Sequence, residues 1–352
     1  MDALPAHFLS YRDRIDAIIS QVMDEAFAVV PELSSVAHDG RRMLERYITR
    51  QGKRIRGTLV ASLYDDITEE QYSPIGLRAA AALEIVQAHL LMIDDVMDES
   101  PTRRGEPSLH YVYRDATDVS LREAEMATIL FADIAYAVAN HSISCLEVPS
   151  ERVVKALGWL QTDIVTTNIG QFDDLSQSLA SSPSYEDIIR RYQQKTGYYS
   201  FVNPLSLGLI LAGASDTGRS EAEQFGVPAG VAFQLGDDML GIFGDPHKTG
   251  KSNLDDLREG KYTLLMHYAN MNADSSQRQV LHRLLGKSDA DDADLKKVQR
   301  LLHDTGAVEQ MSLVARQNAD QAIRVARTAE SWSSTYGNML CELVAFLVER
   351  SK

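Results

Sequence analysis

Cysteine is almost absent from this chain of 352 residues, which has only Cys145 and Cys341. Two thiols are too few for a disulfide framework, and their separation does not match the spacing of metal-binding cysteines. An excess of positive charge is also lacking, because 35 Lys and Arg stand against 50 Asp and Glu, for a formal net charge of −15. We therefore expect no nucleic-acid-binding or anionic-membrane-binding surface, although a local basic cluster can still bind an anionic substrate.

Apolar runs long enough to cross a bilayer are not apparent either. Such a run needs about 20 residues, whereas the longest candidates, Ile129–Ala139 and Phe201–Ala214, are shorter or interrupted. The N-terminus, Met1 to Pro5, has neither the positive start nor the apolar core of a signal peptide. We therefore predict a cytoplasmic protein without a membrane span.

Strand signals are scarce, and apolar residues recur at helical spacing, for example from Ile15 to Val22 and from Leu83 to Ile93. The segment Ser184–Asp187 resembles a capping box that opens the helix carrying Lys195. The stretch from Asn272 to Leu295 is polar, and we interpret it as a loop-rich insertion or mobile connection. The pattern predicts one all-α domain over residues 1–352, a large helical bundle around a central cavity.

Two acidic clusters lie inside apolar, helix-forming segments. The first contains Asp94, Asp95 and Asp98, and the second contains Asp237 and Asp238. On a helix Asp94 and Asp98 project from one face, and Mg²⁺ prefers one or two carboxylates together with phosphate oxygens. A solvated helix end would explain the first cluster alone equally well. Because carboxylates on a buried surface need a partner or a metal, the apolar context and the basic residues that follow favour a metal and a diphosphate.

Between about residues 50 and 265 the chain resembles the trans-prenyl diphosphate synthases. The segment from Glu84 to Gly105 is similar to the first aspartate-rich region of that family. The other motifs occur in the family's order: Gly52–Arg56, Gly170–Asp174, Lys195–Thr196, and Phe233–Asp238 with Gly244–Lys251. The resemblance implies an isoprenoid synthase fold, a homodimer, and Mg²⁺-dependent head-to-tail joining of isopentenyl diphosphate to an allylic diphosphate, with three Mg²⁺ ions per active site.

The resemblance also implies roles for individual residues. Metal binding is expected from Asp94, Asp98 and Asp237. The catalytic residues it implies are Asp94, Asp95, Asp98, Arg103, Lys195, Gln234, Asp237 and Lys251. Isopentenyl diphosphate is expected to contact Lys53, Arg56, Gln87 and Arg104, and the allylic diphosphate Arg103, Lys195 and Lys251, with Gln171, Asp174, Thr196 and Gln234 near the reacting carbons. Arg54 is expected to point elsewhere, and we interpret Lys248 and Lys261 as surface lysines.

The second acidic cluster departs from the DDxxD pattern of the family. Gly241 stands at the fifth position and has no side chain to bind a metal, and we interpret Asp245, one turn further on, as a turn residue before Pro246. We therefore expect weaker metal binding on this side, mainly through Asp237, without loss of function.

The residues before Asp94 predict the length of the product. In the family, aromatic side chains four and five positions before the first aspartate stop the chain at fifteen carbons. Leu90 and His89 stand there in this sequence, with Val86 a turn deeper. None is a large aromatic, so we predict geranylgeranyl diphosphate, with twenty carbons, and keep a farnesyl or longer product as the alternative. For His89, a hydrogen bond to a neighbouring helix is as compatible with the sequence as a place in the cavity floor.

Three other functions fit the sequence less well. A class I terpene cyclase also uses an aspartate-rich helix and Mg²⁺, but the Asp237 region lacks the Asn, Ser and Glu of its second metal motif, and a cyclase needs no isopentenyl site. Head-to-head synthases fit less well because the Gly-Lys-Arg and Thr-Arg-Arg-Gly segments are both present. A non-catalytic partner subunit would be expected to have lost the first acidic cluster.

Overall fold

A computed structural model describes residues 5–30, 32–50, 52–176, 183–245 and 253–349. The described chain is helical almost throughout, and its strands are two segments of two residues each. The prediction of an all-α fold is confirmed. That residues 1–352 form one domain stays a prediction.

The N-terminal half supplies long helices and one short hairpin. In chain order these are α1 (Ala6–Ala28), α2 (Ser35–Ile48), α3 (Ile55–Thr68), α4 (Pro74–Met97), β1 (Thr102–Arg103), β2 (Glu106–Pro107), α5 (Leu109–Thr117), α6 (Leu121–Ser144) and α7 (Ser150–Ser176).

The C-terminal half contains a π-helical segment followed by further helices. These are α8 (Tyr185–Tyr192), the π-helical segment (Gln193–Val202), α9 (Asn203–Ala212), α10 (Thr217–Phe243), α11 (Asp255–Glu259), α12 (Leu264–Asn272), α13 (Ser275–Leu284), α14 (Asp292–Asp304), α15 (Ala307–Thr328) and α16 (Ser334–Glu349). The predicted capping box is confirmed, because Ser184 and Asp187 bond reciprocally at the start of α8. The interpretation of Asn272–Leu295 as loop-rich is wrong, since α13 and the start of α14 occupy most of it.

Helix α4 runs through the core, and its residues from Ala79 to Val86 are all buried. Helices α3, α1 and α6 pack around it. By length and composition α4 and α6 would each be apolar enough to cross a membrane, but 72% of the most apolar stretch of α4 is buried inside the bundle. For α6 the buried share is 39%, so this helix leaves apolar residues uncovered. That the protein has no membrane span stays a prediction.

Two glycines allow the π-helical segment to lie directly against its neighbours. A Cβ on Gly230 of α10 would overlap the Cα of Gly197, and a Cβ on Gly170 of α7 would lie 2.5 Å from the backbone nitrogen of Lys195. Any larger residue at either position would force the helices apart. The glycines therefore let Lys195 approach α7 and Thr196 approach α10. Single π-helical turns are frequently found at functional sites.

The hairpin after α4 aims two arginines in different directions. Arg104 and Gly105 both have positive φ, 56° and 77°, as a two-residue type I′ turn requires. Arg103, in β1, precedes this turn and extends towards the end of α4, whereas the guanidinium of Arg104 lies against Gly52. Consecutive residues of the hairpin therefore contact different elements.

Candidate functional site

The first acidic cluster lies at the C-terminal end of α4 and is held by the hairpin. Arg103 donates from Nη2 to Asp94 Oδ2 at 2.9 Å and from Nε to Asp95 Oδ1 at 2.6 Å. The hydroxyl of Tyr47 donates to the other oxygen of Asp95 at 2.9 Å. Asp95 is fully buried, and its pKa is raised by burial against the opposing effect of Arg103. Asp95 thus holds Arg103 in place, while the carboxylates of Asp94 and Asp98 are partly exposed.

Two lysines lie close to the partly exposed carboxylates of Asp94 and Asp98 on α4. Lys195 Nζ lies 3.6 Å from Asp94 Oδ1 and donates to Asp174 Oδ2 at 2.6 Å. Lys261 Nζ lies 3.4 Å from Asp98 Oδ2. Burial acts to lower the pKa of both lysines, but the neighbouring carboxylates outweigh it and raise both values. Both ammonium groups therefore stay charged at neutral pH.

The interpretation of Lys261 as a surface lysine is wrong. Its side chain is 30% exposed and touches Glu259 and Asp256 as well as Asp98. It follows Gly260, whose φ of +73° ends α11 and turns the chain back towards α4. The sequence shows a lysine directly after a glycine that can end a helix. This pattern predicts a turn at Lys261, but it does not indicate which element the lysine faces.

The carboxylates of α4 suit a divalent cation. Burial raises the pKa of Asp98 and the negative charge of Asp94 raises it further, against the effect of Lys261. A cation between Asp94 and Asp98 would relieve this repulsion. No three His, Cys, Asp or Glu side chains among the described residues converge as a metal site. Two carboxylates are nonetheless a fitting donor set for Mg²⁺, which takes its remaining ligands from water and phosphate.

The second acidic cluster is tied into α10 and the π-helical segment. The Tyr192 hydroxyl and Gln234 Nε2 donate to the two oxygens of Asp238, the latter at 2.9 Å. Thr196 Oγ1 in turn donates to Gln234 Oε1 at 2.7 Å. Burial raises the pKa of Asp238 to about 6. Asp238 is therefore an anchor inside the bundle, whereas its neighbour Asp237 is half-buried.

The place beside Gly241 is taken by another carboxylate. A Cβ built on Gly241 would overlap Oδ2 of Asp256, which comes from the first turn of α11. Asp256 also lies 3.8 Å from Lys261 Nζ. A carboxylate does lie at the fifth position of the second cluster, but it comes from a different helix.

Three of the residues predicted to bind isopentenyl diphosphate gather around Gln87, about two turns of α4 before the acidic cluster. Arg56 donates to Ser200 Oγ at 2.7 Å, and in the amide orientation that satisfies both neighbours Gln87 accepts from Arg56 Nη1 at 2.9 Å. Gln87, Arg103 and Arg104 line one narrow cavity of about 10 Å³. Burial lowers the pKa of Arg104, the Glu84 carboxylate acts against this, and the nearby Arg54 and Arg56 lower the pKa further.

Lys53 and Arg54, which precede Arg56 in the chain, differ in their exposure and their contacts. Lys53 is exposed, with Nζ 4.9 Å from the centre of the Phe346 ring on α16. Arg54 is buried and donates to Asp16 Oδ1 at 2.7 Å and to the carbonyl of Ile48 at 3.0 Å. Arg54 also lines the narrow cavity that contains Gln87 and Arg104, so the prediction that it points away from the site is not confirmed. Lys248 and Lys251 lie outside the described residues.

The residues predicted to set product length line the contact of α4 with α6. Val86 is fully buried and Leu90 is half-buried. Nδ1 of His89 lies 2.9 Å from the carbonyl oxygen of Ala132, and its ring stacks on Tyr136 with centroids 4.8 Å apart. Burial lowers the pKa of His89, against the hydrogen bond to Ala132. The structure thus shows the helix-bridging hydrogen bond and adds an aromatic partner, Tyr136, that the residues before Asp94 could not reveal.

Comparisons with known proteins identify the family of the chain. The family model described as polyprenyl synthetase matches residues 40–302. The chain is 30% identical to a short chain isoprenyl diphosphate synthase of Methanocaldococcus jannaschii over 71% of this chain and 72% of that protein. It is also 30% identical to a geranylfarnesyl diphosphate synthase of Aeropyrum pernix over 78% of this chain and 82% of that protein.

A solved structure is similar over nearly the entire length. The geranylgeranyl pyrophosphate synthase of Corynebacterium glutamicum, in complex with isoprenyl diphosphate and magnesium, superposes with a TM-score of 0.88, covers 99% of both chains and is 26% identical. The resemblance read from five motifs is therefore confirmed. The chain belongs to the polyprenyl synthetase family and is a trans-isoprenyl diphosphate synthase.

Proposed function

We propose that this enzyme condenses isopentenyl diphosphate head to tail with allylic diphosphates and releases geranylgeranyl diphosphate. The observation that carries the proposal is the pair of charged sites along α4, one at its C-terminal end and one about two turns before that end. At the C-terminal end Asp94 and Asp98 face Lys195 and Lys261. Two turns earlier the Arg56 and Arg104 guanidinium groups stand near Gln87. An enzyme that joins two diphosphates needs both sites.

Mg²⁺ is proposed to bind Asp94 and Asp98, with a weaker contribution from Asp237, as three ions per active site. When bound, such ions neutralise the developing charge of the departing diphosphate. The complex of the Corynebacterium enzyme with magnesium supports the choice of metal.

The basic residues around the metal site are proposed to bind the allylic diphosphate. Arg103, Lys195 and Lys261 already lie against the acidic cluster, so their charges are preorganised where the leaving group needs them. Lys251 is included on the strength of its motif alone. Asp95 and Asp174 hold Arg103 and Lys195 in place through their hydrogen bonds.

Isopentenyl diphosphate is proposed to bind Arg56, Gln87 and Arg104, with Lys53 at the rim. Arginine supplies a rigid fork of donors that matches phosphate oxygens, whereas lysine acts as a point charge. Arg56 is steadied by its stacking on the Tyr199 ring, 4.5 Å from the ring centre. Its fork is therefore oriented before the substrate arrives.

The reaction then follows from this arrangement. The allylic C–O bond breaks with both electrons going to the diphosphate, which Arg103, Lys195 and Lys261 stabilise, and an allylic cation remains. The double bond of isopentenyl diphosphate attacks this cation and forms the new C–C bond. A proton is lost to the released diphosphate, and a new double bond forms. Thr196 and Gln234, joined by a hydrogen bond, are proposed to lie beside the reacting carbons.

A product assay with three primers tests the proposed function. Purified protein, Mg²⁺ and isopentenyl diphosphate should convert primers of five, ten and fifteen carbons to a linear diphosphate of twenty carbons, detected by mass spectrometry after phosphatase treatment. Omission of Mg²⁺ should abolish the product. A cyclic hydrocarbon from a primer alone would indicate a cyclase instead, and no product under any condition would indicate a non-catalytic partner.

Replacement of His89 by phenylalanine should shorten the product. The larger apolar ring would lie against Tyr136 and restrict the space beside Leu90, so the dominant product should change from twenty carbons to fifteen. The ratio of the two products, measured by chromatography with saturating substrates, reports the change. His282→Phe, at an exposed histidine of α13, is the matched control. An unchanged ratio in His89→Phe would remove His89 from the cavity floor.

We also propose that the enzyme is a homodimer that pairs through α6 and α7. On α6, Met126, Leu130 and Ile134 are 54%, 65% and 39% exposed at four-residue spacing. A second apolar stripe on α7 contains Val165, Ile169 and Phe172. Stripes of this kind are typical of a surface that a second copy covers. Such a partner would account for the apolar composition of α6, and we keep the cytoplasm as the proposed location.

Replacement of Leu130 by lysine should dissociate the proposed dimer. The change places two charges in a symmetric interface and should raise the dimer dissociation constant roughly a hundredfold or more. Sedimentation velocity over a range of protein concentrations measures it. Leu313→Lys is the control because Leu313, on α15, is also an exposed leucine, at 57%. A dimer that survives Leu130→Lys intact would place the interface elsewhere.

A further inference from the structure

A second cavity, of about 420 Å³, lies beside α2 and has no part in the proposed reaction. It is bounded by α2, the end of β2 and the start of α5, and we call it the α2 cavity. Its lining includes Arg42, Arg46 and Arg50, together with the apolar side chains of Met43, Pro107 and Val112. Cavities of this size are typical of sites that bind small molecules.

The three arginines of the α2 cavity recur at four-residue spacing, which brings them to one side of α2 and its C-terminal end. Arg46 is exposed and Arg42 is paired with Asp39 near the mouth. Arg50 is only 8% exposed. The arrangement is a row of guanidinium groups that leads from solvent to a buried charge.

Arg50 is incompletely satisfied by the protein. Its Nε and Nη1 atoms are buried and have no hydrogen-bond partner among the described residues. Its compensation comes from Glu106, whose carboxylate lies 3.3 Å from Nε and is itself 46% exposed, and from the Tyr47 ring at 4.8 Å. Burial of a charge with unused donors is costly. Arg50 lines the α2 cavity, so an anion bound there would help to compensate its charge.

We propose that the α2 cavity binds a second diphosphate-bearing ligand. Guanidinium forks match the oxygens of a diphosphate, and Met43, Pro107 and Val112 offer contact to a hydrocarbon group. Asp39 and Glu106 also line the cavity and offset part of the positive charge of Arg42 and Arg50, with which they are paired. Inorganic diphosphate and a prenyl diphosphate both carry this chemistry.

The ligand of the α2 cavity should affect the isopentenyl site through Arg50. Arg50 also lines the narrow cavity that contains Gln87 and Arg104, so it stands between the two cavities. A ligand that engages Arg50 from the α2 side changes the positive charge available on the other side. This coupling rests on the proposed function, whereas binding in the α2 cavity does not.

A calorimetric titration tests the site independently of turnover. The full-length protein, saturated with isopentenyl diphosphate and without Mg²⁺, is titrated with inorganic diphosphate and, separately, with geranylgeranyl diphosphate. One ligand should bind per chain, and Arg46→Glu should weaken it at least about tenfold. Tighter binding of geranylgeranyl diphosphate would identify the prenyl compound as the ligand, and equal binding of the two would identify the diphosphate group alone.

A control variant and a turnover assay test whether the effect of Arg46→Glu is specific to the α2 cavity. Arg283→Glu makes the same charge change at an exposed arginine of α13 and should leave the affinity unchanged. Without added diphosphate, Arg46→Glu should turn over like the wild type, and its inhibition by inorganic diphosphate at saturating isopentenyl diphosphate should be weaker. Absence of binding to the wild type, or equal affinity of the wild type and Arg46→Glu, would overturn the proposal. Failure of the three-primer assay would refute the proposed function and leave the titration informative.

Discussion

Asp94→Asn should reduce turnover about a thousandfold or more, because the metal-assisted stabilisation of the leaving diphosphate is worth several kcal/mol. Asparagine keeps the shape of the side chain but removes the charge that a divalent cation requires. The carboxylate is already half-buried beside Lys195 and Arg103, so its loss also leaves those two cations with less negative charge to balance them.

Single-turnover rates with the ten-carbon primer measure this effect directly. The Mg²⁺ concentration at half-maximal rate should rise together with the fall in rate, which a purely structural defect would not produce. Asp320→Asn, at an exposed aspartate of α15, should behave like the wild type, and circular dichroism should show both variants folded. Wild-type rates for Asp94→Asn would refute the metal role of the first acidic cluster.

The sequence was sufficient to predict the first acidic cluster because its spacing is local. Asp94 and Asp98 share a helix face by periodicity alone, and the hairpin with Arg103 follows within a few residues. The helical class was likewise predictable from apolar spacing. These features depend on residues that are close together along the chain, which is the range at which sequence patterns are reliable.

Residues that enter the site from distant elements could not be predicted in the same way. Lys261 lies 163 residues from Asp98 along the chain, and its position depends on the turn after Gly260. Tyr136 reaches His89 only because α6 packs along α4. Neither lysine nor tyrosine carries a local pattern that identifies its partner, so only the packing of whole helices shows these contacts.

The second acidic cluster illustrates the same limit and leads to a counterintuitive expectation. Comparison with the DDxxD pattern makes Gly241 look like a lost ligand, and Gly241→Asp like a repair. The structure predicts the opposite, because the Asp256 carboxylate occupies the space that a side chain at position 241 would enter. The new aspartate must displace Asp256, and two carboxylates would then compete for one place near Lys261.

Gly241→Asp should therefore lower turnover roughly ten- to a hundredfold, since overpacking and like-charge repulsion here cost about 1–3 kcal/mol. The displaced atom is the end of a side chain, so the protein should still fold. Gly158→Asp is the matched control, because a Cβ at Gly158 meets no atom within 4 Å. Initial rates at saturating substrate and the Mg²⁺ dependence of both variants measure the difference.

The double variant Gly241→Asp with Asp256→Gly distinguishes this account from a simple intolerance of side chains at position 241. It moves the carboxylate from α11 to α10 and leaves one acidic group in the shared space, so turnover should recover most of the loss. Because the two positions are in contact, their effects should be strongly non-additive. If the double variant is as slow as the product of the single effects, Asp256 does not substitute for the third aspartate, and Gly241 is required for packing alone.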